Sequence, residues 1–189
     1  MNMHELQMGC RTYRRFKQEA IPEEILNYAL ENARIANCSV NLQQLRYIAV
    51  TSKSMTEQIQ ALVKYAAALP PEIGMPKKDE QPTAFIAVVQ TGQKSMVDID
   101  TGIAVHAITL SLYEKGYGSC ILGNISRKKI CCLLDIKEDE KLPLLIAIGK
   151  PMHSSEIVEM QEGDCKYYVD SNRNYYVPKR AYCDIVKFV

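Results

Sequence analysis

The stretch DIDTGIAVHAITLSLYEKG, residues 98–116, predicts the element around which the rest of the chain is organised. Two aspartates open it, where the partial positive charge of a helix N-terminus favours acids, and a Lys-Gly pair closes it as helices commonly end. No permanently charged residue lies in the stretch 101–113. A helix that is apolar nearly all round is buried on all sides. The pattern therefore predicts a helix at the centre of the domain or at a subunit interface.

Apolar strands and amphipathic helices interleave on both sides of this helix. The apolar runs predict strands at Leu45–Thr51, Ala84–Gln90, Tyr117–Leu122 and Lys141–Gly149. Helical spacing, capping residues and prolines predict helices at Pro22–Asn37, Ser54–Ala68, Ser126–Leu134 and Lys179–Lys187. Residues 70–82, rich in proline and charge, are predicted to form a loop. This order indicates one α/β or α+β domain over residues 1–189.

Composition excludes several classes of protein. With 47% hydrophobic residues in 189, the chain is able to bury a substantial core. A net charge of +1 provides no broad attraction for nucleic acid or an anionic membrane. No segment reaches the length of a membrane-spanning helix, and the N-terminus lacks the apolar core of a secretion signal. A cytoplasmic protein without membrane or nucleic-acid partners is expected.

The cysteines and histidines give no pattern typical of a disulfide framework or a metal site. Seven cysteines are an odd number, and no Cys-x-x-Cys is present, which favours reduced thiols. The three histidines share no ligand spacing, so no metal is expected. His106 is interpreted as a core or interface residue, because it lies within the apolar helix.

Two polar stretches are candidates for ligand binding. The segment RTYRR, residues 11–15, carries arginines whose planar guanidinium groups pair well with phosphate, although a solvated basic turn has the same composition. Ser39, Asn41 and Gln43 lie between a helix and a strand. Their amides suit the edge of a heterocycle, although ordinary turns also favour Asn and Ser.

Two further stretches lie in the second half of the chain. GYGSCILGN, residues 116–124, has glycines that permit close approach of a ligand to the backbone or a tight turn. Its spacing is not that of a dinucleotide fingerprint. Lys179 and Arg180 stand at the start of the predicted terminal helix, where cations are unfavourable unless an anion lies nearby. A solvated pair of cations is the alternative.

The order of these stretches resembles the short branch of the FMN-dependent nitroreductase family from about residue 8 to residue 187. The resemblance rests on the following ordered set: Arg11-Thr12-x-Arg14-x-Phe16, a helix begun by Pro22, Ser39-x-Asn41-x-Gln43, the apolar helix, the loop 116–123, Ile148-Gly-Lys-Pro151 and Val177-Pro-Lys-Arg180. It implies an α+β fold with a central, mostly antiparallel sheet flanked by helices in three layers. It also implies an entwined homodimer with FMN at the subunit interface.

The resemblance also implies roles for individual residues. Arg11, Thr12 and Arg14 correspond to the segment at the flavin phosphate, ribityl chain and ring edge, and Lys179 and Arg180 to a basic pair that grips the phosphate. The polar loop, which carries Ser39, Asn41 and Gln43, corresponds to one that usually reaches the flavin from the partner subunit. The set Cys120, Ile121, Leu122 and Gly123 corresponds to the loop along the isoalloxazine ring, where a backbone N–H, that of Gly123 or of its neighbour, points at flavin N5.

Three departures from the family's pattern affect these contacts. Cys10 stands where a second arginine is common, Asn37-Cys38 replaces Pro-Ser, and Gln44-Leu45 replaces Pro-Trp. The phosphate grip is therefore expected to depend more on Arg14 and the terminal basic pair. The polar loop is expected to be less rigid without its prolines.

The resemblance implies a ping-pong reaction in which NADH or NADPH gives a hydride to flavin N5, and a nitroaromatic, a quinone or a related small acceptor is then reduced. No side-chain acid or base is expected to be indispensable, because the flavin carries the chemistry. The open alternatives are an FMN-binding storage or sensor protein without turnover, and another flavin reaction, such as enone reduction, dehalogenation or flavin cleavage.

Overall fold

A computed structural model describes residues 1–189. The α-helices are α1 Met3–Gly9, α2 Glu23–Arg34, α3 Lys53–Gln60, α4 Pro71–Gly74, α5 Val97–Glu114 and α6 Arg127–Leu133. The strands are β1 Phe16–Lys17, β2 Leu45–Val50, β3 Ala84–Gln90, β4 Gly118–Leu122, β5 Lys141–Pro151, β6 Ser155–Glu159, β7 Tyr168–Val169 and β8 Tyr175–Lys179. None of the helices has both the length and the hydropathy needed to span a bilayer.

The central sheet is antiparallel. Strand β5 lies between β3 and β4, and β2 pairs with the other edge of β3. The short β1 pairs with the last two residues of β5 and so fixes the segment just before it, residues 10–15, against the sheet. The predicted strand Ala84–Gln90 is confirmed, and all its residues are buried.

Both faces of the sheet are covered, which gives three layers. Phe85, Ala87 and Val89 alternate along β3 toward a core formed with α3 and α6. Ile86 and Val88 point the opposite way, into a core formed with α2 and α5. Because side chains alternate along a strand, a continuous apolar run is what a doubly covered strand requires. The expected α+β fold with a central antiparallel sheet is confirmed.

A second sheet at the C-terminal end is joined to this core by a buried ion cluster. Strand β8 lies between β6, which is parallel to it, and β7, which is antiparallel. Arg173, just before β8, contacts both carboxylate oxygens of Glu80 at 2.9 and 3.0 Å. Arg15 contacts the same carboxylate at 3.4 Å. The cluster thus ties the N-terminal segment, the 70–82 region and the C-terminal sheet together.

The predicted terminal helix at Lys179–Lys187 was wrong. Residues 175–179 form β8, which pairs with β6 over five residues, and only a single 3₁₀ turn follows at Tyr182–Asp184. Only Lys179 of the predicted segment lies in the strand pair, and residues 181–185 are all exposed. So short a helix without a buried face is marginal in water.

Two predictions around the 70–82 region also need correction. Helix α3 ends at Gln60 rather than near Ala68, because the chain turns there and Val63 bridges to Ile125. The predicted loop contains the short helix α4 and a 3₁₀ turn at Lys78–Glu80. Arg173 also donates to the carbonyls of Ile73 and Met75 in this region.

The predicted central helix is present as α5, but one face of it is uncovered within the chain. The side chains of Ile99 and Ile103 are 54% and 39% exposed, and His106 is exposed on the next turn of the same face. The opposite face, with Ile108 and Leu112, is completely buried. The expected burial on all sides is therefore not achieved by one chain alone.

Candidate functional site

A cleft of about 260 Å³ lies where the ends of the chain meet the middle of the sheet. Residues from α1, from the segment that follows it, from α5, from β4 and from the end of β8 line it. They are Gln7, Cys10, Arg11, Thr12, His106, Thr109, Ser119, Ile121, Val177 and Lys179. Four of the predicted site residues, from three separate stretches of sequence, are therefore together: Arg11, Thr12, Ile121 and Lys179.

Strand β4 forms the floor of this cleft. The Tyr13 N–H donates to the Ser119 carbonyl at 2.9 Å, and Thr12 forms a parallel bridge with the same residue. Side chains alternate along the strand, so Ser119 and Ile121 face the cleft while Cys120 and Leu122 lie in the core beside α3 and α6. Only the backbone of Cys120 and Leu122 can therefore meet a ligand in the cleft.

The cleft is electropositive. Arg11 and Lys179 contribute two permanent cations, and no carboxylate is among the lining residues. Arg11 donates one Nη2 hydrogen bond to the Gln7 carbonyl, while its Nε is buried without an acceptor. A buried guanidinium nitrogen without a partner is costly. The hydroxyls of Thr12, Thr109 and Ser119 supply neutral groups beside these cations.

Arg14 lies outside this cleft. Its guanidinium carbon is 4.7 Å from the ring centroids of both Tyr167 and Tyr175, so two aromatic faces hold it. Its backbone N–H donates to His153 Nε2 at 3.0 Å. Burial lowers the pKa of His153 to about 4, which keeps this nitrogen available as an acceptor. Arg14 Nε is buried without a hydrogen-bond partner, as Arg11 Nε is.

Arg180 does not line the cleft either. It is exposed, and its Nη2 donates to the Asp184 carbonyl at 3.0 Å. The two members of the basic pair thus face different surroundings. Because Lys179 is the last residue of β8 and not the first of a helix, the predicted clash with a helix dipole does not arise.

The polar loop forms a separate group at the beginning of α5. Val40, Asn41 and Gln43 have φ of 51°, 53° and 49°, in the left-handed region that costs energy for residues other than glycine. Asp100 holds the loop, because its Oδ1 accepts the Ser39 N–H at 2.8 Å. Asp100 is nine residues from Thr109, about 13 Å along the helix axis. One chain therefore does not bring Ser39, Asn41 and Gln43 to the cleft.

The end of β4 provides one free backbone donor. Gly123 follows the strand, its N–H makes no hydrogen bond within the chain, and its carbonyl accepts from Arg127 at 3.0 Å. A Cβ at Gly123 would meet nothing within 4 Å. Three residues earlier, on β4, burial raises the pKa of the Cys120 thiol to about 11, so this thiol is neutral and not a nucleophile at physiological pH.

Sequence reasoning missed part of the cleft. Helix α1 was not predicted, although Asn2 and Glu5 form a capping box at its start. Gln7 therefore had no assigned place, and His106 was interpreted as a core or interface residue. The spacing of Asn2 and Glu5 is the signal that would have revealed the helix.

A larger cavity of about 820 Å³ lies over α6 and the start of β5. None of the predicted site residues lines it. Four cationic and three acidic side chains alternate around it, so it has little net charge to attract an anion. The smaller cleft is thus the better candidate for a charged ligand.

The sequence model of the nitroreductase family matches residues 8–150. The chain belongs to the nitroreductase family. The match includes α5 and β4 but ends before β6, so Lys179 lies in a part of this nitroreductase that the family model does not cover. A comparison with curated proteins gave no match.

Solved structures share the fold at low sequence identity. A nitroreductase family protein of Clostridium novyi NT is 23% identical, with a TM-score of 0.68 over 80% of this chain and 86% of its own. An FMN-dependent nitroreductase of Clostridium difficile R20291 is 21% identical, with a TM-score of 0.64 over 82% and 90%. A putative NADH dehydrogenase/NAD(P)H nitroreductase of Parabacteroides distasonis is 14% identical, with a TM-score of 0.69 over 87% and 95%. Family membership supports a general role as a flavin oxidoreductase.

Proposed function

We propose that this nitroreductase binds FMN and passes reducing equivalents from NADH or NADPH to a small organic acceptor, a nitroaromatic or a quinone, in a ping-pong cycle. The observation that carries the proposal is the convergence of Arg11 and Lys179, from opposite ends of the chain, in one acid-free cleft. The planar Arg11 guanidinium suits a phosphate, with which it pairs through two oxygens.

The chain's own residues would hold and orient the cofactor. Arg11, Lys179, Thr12 and Ser119 suit the phosphate and the polyol chain, because charged and hydroxyl donors alternate around the cleft. The free Gly123 N–H suits an acceptor atom of the ring. The bound FMN would supply the hydride-accepting and hydride-donating chemistry. No side chain in the cleft is assigned a proton-transfer role.

The proposal includes a homodimer in which each ligand site is completed by the second copy. A cleft of about 260 Å³ is below the range of roughly 300–1,000 Å³ that is typical of ligand pockets. The exposed face of α5, with Ile99 and Ile103, is an apolar surface that a second copy would cover. The loop 39–43, which lies at the α5 start and away from the cleft of its own chain, would then approach the cleft of the other copy.

Purification and spectroscopy test the cofactor proposal. The protein is expected to be yellow, with FMN released on denaturation. Because a charge-assisted contact contributes about 1.5–3 kcal/mol, Lys179→Ala is expected to weaken FMN binding roughly tenfold or more. Lys128→Ala, in the cavity over α6, is the matched control and is expected to bind as the wild type does. A colourless protein that does not bind added FMN would refute the proposal.

Anaerobic mixing with NADH or NADPH tests the reaction. The flavin absorbance near 450 nm is expected to disappear on mixing and to return when an acceptor is added. Neither change is expected to depend on a titrating side chain of the cleft. A flavin that binds but stays oxidised with both reductants would instead identify a storage or sensor protein.

A further inference from the structure

His106 lies in the cleft without an assigned role. It is exposed on α5, and its Nε2 is 2.9 Å from Gln7 Nε2 on α1. The helix thus presents an imidazole to the cleft that holds Arg11 and Lys179. The other titratable or charged lining group is the Cys10 thiol, whose pKa is raised by burial, so it adds no negative charge.

The contact with Gln7 is compatible with two protonation states of the imidazole. With the Gln7 amide nitrogen toward Nε2, that ring nitrogen accepts, and the proton sits on Nδ1. With the amide turned over, its oxygen accepts from a protonated Nε2, which permits the doubly protonated, charged ring. Gln7 therefore orients His106 in either state, and the ring retains a donor on Nδ1 in both.

We propose that His106, oriented by Gln7, is a third phosphate-binding group of the cleft and makes it selective for phosphorylated flavin over riboflavin. The inference rests on the proposed function, since FMN is the phosphomonoester that it names. Two permanent cations and a histidine are a donor set for a dianion, and no carboxylate competes with it. The imidazole would add a further N–H donor to those of Arg11 and Lys179.

Titrations of the apoprotein with FMN and with riboflavin, followed by flavin fluorescence, test this inference. His106→Gln is expected to raise the Kd for FMN about tenfold, which corresponds to about 1.4 kcal/mol. The Kd for riboflavin is expected to change less than about twofold. Comparing variant with wild type at one fixed pH keeps the ionisation of the phosphate the same in both titrations.

His4→Gln is the matched control, because His4 is an exposed histidine of α1 that does not line the cleft. It is expected to leave both constants unchanged. Equal losses of FMN and riboflavin affinity in His106→Gln would indicate a structural role and overturn the inference. Unchanged FMN affinity in that variant would overturn it while leaving the proposed function intact.

Inorganic phosphate separates the inference from the flavin proposal. Added phosphate is expected to shift the His106 ring resonances in the NMR spectrum of the apoprotein and not those of His4. If neither flavin binds while this shift is seen, the phosphate-binding role stands and the flavin function fails. Absence of the shift, together with absence of flavin binding, would overturn both.

Discussion

Replacing Glu80 by glutamine removes the negative charge at the centre of the buried ion cluster. The Glu80 side chain is 8% exposed, and those of Arg15 and Arg173 are 10% and 18% exposed. Both arginines would then be left buried beside a neutral amide. Because Arg173 also donates to backbone carbonyls of the 70–82 region, it is unable to turn toward solvent without breaking those bonds.

The cost follows from this burial. Removing one partner of a buried ion pair destabilises a protein by about 3–5 kcal/mol. A glutamine carbonyl in the place of Oε1 still accepts the two contacts made there, so the lower end, about 3 kcal/mol, is expected. For a chain of this size 1 kcal/mol lowers Tm by about 2–4 °C, so Glu80→Gln is expected to melt about 6–12 °C lower.

Urea unfolding of the apoprotein at one fixed protein concentration measures this effect. Glu31→Gln is the control. Its pair with Arg34 has a shorter contact, of 2.6 Å, but the two side chains are 55% and 68% exposed. A surface pair of this kind contributes about 0–1 kcal/mol, so the control is expected to unfold almost as the wild type does.

The effect of Glu80→Gln is expected to depend on pH. Burial opposes ionisation of Glu80, but the Lys77 N–H and the two arginines outweigh it and hold the pKa of Glu80 below its usual value. Its stabilisation is therefore present above about pH 4.3, the unfolded value, and is lost as the pH falls through the folded value. The difference between variant and wild type should shrink on acidification. A loss under 1 kcal/mol at pH 7 would refute the reasoning.

Two other substitutions follow from burial and close packing. Burial lowers the pKa of His153 to about 4, against about 6.5 unfolded, so its stabilisation is full above pH 6.5 and declines toward pH 4. Wild type is expected to lose about 2 kcal/mol more than His153→Gln between pH 7 and pH 5 in urea unfolding; a His153 ring resonance that titrates above pH 6 would contradict this. Gly118→Ala places a Cβ 2.7 Å from Tyr13 side-chain atoms and is expected to cost about 1–3 kcal/mol, while Gly123→Ala meets nothing within 4 Å and should unfold as the wild type does. Equal thermal stability of the two glycine variants would show that the segment around Tyr13 shifts without energetic cost to make room for the Cβ.

Local patterns predicted the elements whose environment is uniform. All seven residues of β3 are buried, so a continuous apolar run was sufficient to identify it. Helix α5 was predicted because its acids, its Lys-Gly end and its apolar body agree with one another. The terminal helix failed because residues 181–185 are all exposed, and no local pattern reveals that the segment lacks a surface to pack against.

The candidate site was likewise only partly predictable from local patterns. Single stretches were ambiguous, and only their order indicated that Arg11 and Lys179 share a ligand. The buried cluster around Glu80 was invisible, since ion pairs that join residues 65 and 93 positions apart leave no periodic signal. His106 was predicted to be a core or an interface residue; its exposure excludes the core in the single chain, and the interface stays a prediction.

Strand β8 links the stability of the C-terminal sheet to the candidate site. At its first residue, Tyr175 is buried and stacks on Arg14; at its last, Lys179 lines the cleft about 13 Å away. Arg173, immediately before the strand, anchors it to Glu80. Loosening that anchor should therefore also loosen the position of Lys179, because the backbone of one strand connects the two residues. If Lys179 grips a phosphate as proposed, Glu80→Gln should weaken FMN more than riboflavin, without changing any residue of the cleft.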